Sequence, residues 1–76
     1  MNKMTQSNYD KIYSKYGRTT LNKKEVAFEM SISLTTLNRL IYKGECPVRF
    51  THLGNKYIFT VSSVSEYIAA IDLLAA

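Results

Sequence analysis

Two helix-start signals eleven residues apart, Asn22 and Ser33, constrain this chain more than any other feature. Asn22 is followed three residues later by Glu25, the spacing at which an amide side chain and a carboxylate satisfy each other's free backbone N–H groups. Leu21 before the cap and Val26 four residues after it stand where a hydrophobic staple forms. The helix so started carries Val26, Ala27 and Met30 on one side and is expected to end near Ser31. Ser33 repeats the device, with Ile32 and Leu37 at the staple positions. Leu21 to Lys43 therefore reads as two short helices held at an angle by a three-residue turn.

The second helix, expected over 33–43, sorts its residues cleanly. At 100° per residue, Leu34, Leu37, Leu40 and Ile41 share one face, Thr35, Arg39 and Tyr42 point the opposite way, and Thr36, Asn38 and Lys43 flank that outer face. Hydroxyl, amide, guanidinium and phenol groups on an exposed helix suit hydrogen bonds to base edges and phosphates in a DNA major groove. Polar outer faces are also common on ordinary solvated helices, so both readings stand on this helix alone.

Charge adds to the first reading. The chain has 76 residues and a net charge of +4, and Lys3, Lys11, Lys15, Arg18, Lys23 and Lys24 all fall in its first third. After Val61 only Glu66 and Asp72 are charged. This imbalance implies a polyanion partner and a separate surface for something else. The length implies one domain with a small core, which 46% hydrophobic residues are enough to fill. A single cysteine, Cys46, and a single histidine exclude an internal disulfide and a zinc set, and no cofactor is implied. There is no membrane-length apolar run or signal-peptide core, so the expected compartment is a cytoplasm.

In chain order, Met1 to Gln6 read as frayed. Ser7 reads as the cap of a helix over 7–16, with Tyr9, Ile12, Tyr13 and Tyr16 at helical spacing and Gly17 as its end. That stripe fits docking on the domain's own core better than stacking on bases. Phe28 lies about opposite Val26, and either the tyrosine helix or a second chain is expected to cover it. Gly44 and Pro47 end the second helix of the pair, and Cys46 reads as a packed thiol rather than a sensor.

From Val48 to Val61 the pattern turns to β around Gly54-Asn55, where a two-residue turn accepts glycine at positive φ. The resulting register sets Val48 opposite Val61, Phe50 opposite Phe59 and His52 opposite Tyr57, with Asn55 and Lys56 at the tip. His52 reads as a ring packed on Tyr57 rather than a phosphate contact or pH switch. Ser62 or Ser63 then opens a helix with Val64, Tyr67, Ile68 and Ile71 on its inner face and Glu66 in its first turn. Ala69 and Leu73 face away from that stripe, and the apolar last turns suit self-association. No phosphate loop, carboxylate pair or nucleophile triad is present, so an enzyme is not expected.

The order helix, turn, helix, β-hairpin, helix resembles a small winged helix-turn-helix domain, mainly α with a two-stranded hairpin. An extra helix lies in the extension 1–20, ahead of the domain 21–76. The residues Glu25-Val26-Ala27, Ile32-Ser33, Thr36-Leu37, Arg39-Leu40-Ile41, Gly44, Pro47, Gly54, Lys56 and Val64 to Ile68 resemble the excisionase-type, AlpA-like family related to MerR DNA-binding domains. Residues 21 to 70 are covered. Ser31 stands where the family has glycine, and Asn55 and Ile58 where arginines are common. The resemblance implies sequence-specific binding of double-stranded DNA without catalysis, as an excisionase or as a transcription regulator of a phage or plasmid. The implied partners are an integrase or RNA polymerase. The alternative is a protein-interaction module, antitoxin-like or adaptor-like, using Phe28, the tyrosine helix and the apolar tail.

Overall fold

The computed structural model describes residues 2–75, which form four helices and a three-stranded antiparallel sheet in the order α1 (Lys3–Tyr16), β1 (Thr20–Leu21), α2 (Lys23–Glu29), α3 (Leu34–Tyr42), β2 (Thr51–Leu53), β3 (Lys56–Thr60) and α4 (Val61–Ala75). Met1 and Ala76 lie outside the described residues.

The central pair forms as its caps require. Asn22 Oδ1 accepts from the Glu25 N–H at 2.9 Å, and Glu25 Oε1 accepts from the Asn22 N–H at 2.9 Å. Leu21 and Val26 are both buried beside this box. Ser33 Oγ accepts from the Thr36 N–H at 3.0 Å, and Leu37 is fully buried one turn later. Leu34, expected on the inner face, is 40% exposed at the first position of α3, where the helix projects beyond the core.

The turn between α2 and α3 closes without glycine. Ser31 has φ 60°, in the left-handed region. Its N–H donates to the Phe28 carbonyl and that of Ile32 to the Ala27 carbonyl, which satisfies the last free carbonyls of α2. Gly44 makes the same turn after α3 with φ 71°, where no Cβ is strained. Ser31→Gly is therefore expected to stabilise the fold by roughly 0.5–1 kcal/mol, the left-handed penalty less the extra freedom of glycine in the unfolded chain. Thermal melting of the variant checks this, and an unchanged or lowered midpoint would show that Ser31 is unstrained.

Three boundaries differ from the sequence reading. First, α1 begins at Lys3 rather than after Ser7, because Asn2 caps it by accepting from the Thr5 N–H at 2.7 Å. Thr5 is buried although it is polar. α1 packs against α4 more extensively than any other pair of elements meets. Asn8 Nδ2 reaches the Ser65 carbonyl at 3.5 Å across this contact, and Ser65 and Ala69 are buried. Ala69 thus faces inward, contrary to expectation, because small residues let two helices approach closely.

Second, the sheet has three strands, not two. β3 is central: Phe59 and Thr60 pair with Leu21 and Thr20 of β1, while Lys56 to Ile58 pair with Leu53 to Thr51 of β2. The register of the hairpin is the expected one, with Gly54 at φ 57° in the turn. The ladder does not extend over 48–61, however. Val48 and Val61 are buried in the core without pairing as strand partners.

Third, α4 starts at Val61, ahead of Ser62. Thr60 Oγ1 accepts from the Ser63 N–H at 3.0 Å, so the last strand residue doubles as the helix cap. Glu66 consequently lies in the second turn, where its carboxylate meets Arg49 at 3.1 Å in solvent.

One contiguous core holds Ile12, Leu21, Val26, Leu37, Val48, Phe59, Val61 and Val64, with Tyr9, Tyr16 and Tyr67 partly buried against it. Because Ile12 belongs to that cluster, the first helix and the remaining chain share one interior. Among the described residues, no helix is long and apolar enough to cross a membrane.

Candidate nucleic-acid interface

The elements above fix where each candidate side chain stands. Leu37 and the half-buried Ile41 seat α3 on the core, so its opposite side faces solvent. Thr35, Asn38, Arg39, Tyr42 and Lys43 are all exposed, Tyr42 at 92%. Thr36 differs, being half-buried with its hydroxyl 2.8 Å from Ser33 Oγ. It serves the helix start and is drawn out of the exposed row.

Asn55 and Lys56 are exposed at the hairpin turn. Behind them the hairpin is braced by aromatic contacts. His52 stacks on Tyr57 with ring centroids 4.2 Å apart and planes 12° from parallel, and Phe50 lies 5.5 Å from both Tyr57 and Phe59. His52 is thus engaged with Tyr57, as the register implies.

Between the hairpin and α3 runs an open groove of about 580 Å3, whose polar lining includes Arg18, Lys23, Lys24, Asn38, Asn55 and Lys56. It brings Asn38 of α3 onto the same concave surface as the hairpin tip. Arg39, Tyr42 and Lys43 lie outside this lining, farther along α3. Lys23 and Lys24 entered the sequence reading as part of the basic first third, not as DNA-contact candidates. Their nearness to the hairpin depends on how α2 packs beside β3, which local patterning does not encode. The available signal was the excess of basic residues in the first third of the chain.

Three of the six acids are held in ion pairs, while exposed Glu45, just past α3, has none among the described residues. Lys15 pairs with Glu29 at 2.8 Å, Arg49 with Glu66, and Arg18 with Glu25 through both guanidinium nitrogens. The Arg18 hydrogen bond, aided by the Asn22 N–H, holds the Glu25 carboxyl below its usual range despite desolvation. Lys23, Lys24, Arg39, Lys43 and Lys56 have no ion-pair partner among the described residues. Such cations keep their full charge available to an incoming anion.

Exposed apolar side chains lie elsewhere on the surface. Phe28 remains 66% exposed, and α1 offers it Lys15 rather than a tyrosine, with the ammonium 4.1 Å from the ring centre. The placement follows from Glu29, which accepts from both Lys15 Nζ and the Tyr16 hydroxyl, the latter at 2.7 Å. Burial, followed by this bond to a carboxylate, pushes the Tyr16 phenol up to about 12. Ile71, Leu73 and Leu74 are exposed toward the end of α4. In comparisons with protein-family models, curated proteins and solved structures, the chain has no significant match.

Proposed function

We propose that this chain is a sequence-specific double-stranded DNA-binding protein acting as a winged helix-turn-helix. In this reading α3 enters the major groove and the β2–β3 hairpin rests on the neighbouring backbone as the wing. The observation that carries the reading is the set of five unpaired cations on α2, α3 and the hairpin tip, gathered around an exposed row of base-compatible side chains. An ordinary solvated helix face has no need of so many unpaired cations, whereas a phosphate backbone does. The resemblance to excisionase-type and AlpA-like proteins supports the same assignment. It directs it toward a mobile element, where the chain works as an excisionase beside an integrase or as a regulator beside RNA polymerase.

One recognition helix and a short wing span few base pairs, too few for strong discrimination over a genome. Neighbouring copies on DNA supply the remainder in this proposal. Exposed Phe28, Leu73 and Leu74 are the candidate contacts between them.

Titration of fluorescent duplex DNA at increasing salt tests the reading. With about three phosphates neutralised, by Lys24, Lys43 and Lys56, log K should fall against log salt with a slope of about −3. Absence of salt-sensitive binding would favour the interaction-module alternative instead.

A further inference from the structure

Lys23 joins three elements. Its Nζ stands 4.4 Å from the centre of the Tyr57 ring and donates a 2.8 Å hydrogen bond to Oδ1 of Asn38. Tyr57 is itself stacked on His52, so a continuous path leads from the wing through α2 to α3. We propose that Lys23 is a positioning residue that orients the Asn38 amide, so that Asn38 favours a keto base, guanine or thymine, over adenine or cytosine. The inference rests on the DNA-binding reading given above.

A free asparagine offers an acceptor and a donor together, the pair that matches N6 and N7 of adenine. Here the carbonyl end accepts from the ammonium of Lys23, and in this proposal the NH2 end is left to meet the base edge. Beside it stands a positive charge whose remaining N–H groups are also donors. Guanine presents two acceptors, O6 and N7, and thymine presents O4, whereas adenine offers N7 beside an N6 donor that meets donors, and cytosine offers only the N4 donor. Lys23 has no acid partner among the described residues to draw it away. It is also half-buried over Tyr57, while Asn38 is exposed. That geometry makes Asn38 the reader and Lys23 its support.

Selection of duplexes from a randomised library by the full chain, by Lys23→Met and by Lys23→Arg tests the proposal. Methionine retains a straight stem over Tyr57 but donates nothing, and arginine keeps the donor. The wild-type chain should prefer keto over amino bases at one position by roughly tenfold. Lys23→Met should lose that preference, or turn it toward adenine, with other positions unchanged, and Lys23→Arg should retain it. A uniform loss of affinity in Lys23→Met with the preference intact would make Lys23 a phosphate contact and overturn the inference while leaving DNA binding in place. A wild-type chain that selects no sequence overturns both. Without DNA, the Asn38 side-chain NH2 resonances should move in Lys23→Met and not in Lys23→Arg, and unmoved resonances in Lys23→Met count against the proposal.

Discussion

A chain lacking residues 1–17 is expected to lose on the order of 3–5 kcal/mol of stability, the worth of one fully buried aliphatic side chain and two partly buried rings. The removed segment carries Ile12 and Thr5, both buried, and Tyr9 and Tyr16, which pack on the same core. It also uncovers Ser65 and Ala69 on α4. A domain of this size is stabilised by only about 4–11 kcal/mol in total, so the shortened chain should sit near its folding threshold. Ile12→Ala keeps the helix and removes only its central anchor, at an expected cost of about 2–5 kcal/mol. Thermal melts of both variants measure the effect. If the truncated chain melts with the full one, α1 is not part of the core.

Arg39→Ala is expected to cost about 1–3 kcal/mol of specific binding and to relax the preference for sequence. Arg39 is exposed on α3 with no carboxylate partner among the described residues, and its planar fork matches guanine O6 and N7. Lys56 at the hairpin tip offers a compact point charge instead. Lys56→Ala should weaken binding to all sequences alike and reduce the salt slope by about one. Parallel titrations on specific and random duplexes separate the two roles. Equal losses on both duplexes for Arg39→Ala would remove Arg39 from base reading.

What was legible in the sequence was local. The Asn22–Glu25 box and the Ser33 cap act within one helical turn, so spacing alone located α2 and α3 and hence the exposed row on α3. The hairpin register followed from Gly54 and from alternation on both sides of it. What was missed depended on other parts of the chain. β1 has two residues, too few to alternate, and exists because β3 offers a free edge beside Phe59 and Thr60. The first turn of α1 looks polar and is exposed except for Thr5, whose burial depends on how the helix packs in the fold. Val61 reads as strand by its branched side chain, yet the Thr60 hydroxyl makes it the first residue of a helix. Likewise, nothing in the order of residues shows Lys23 meeting Tyr57 and Asn38.

The most direct measurement of the central claim is the map of backbone and side-chain NMR shifts in the labelled full chain as a selected DNA duplex is added. The account predicts that the largest changes fall on Thr35, Asn38, Arg39, Tyr42 and Lys43 and at the hairpin tip, Asn55 and Lys56, with smaller changes at Lys23 and Lys24. Perturbations centred on Phe28 and the end of α4 with α3 unmoved, or none at all, would contradict it.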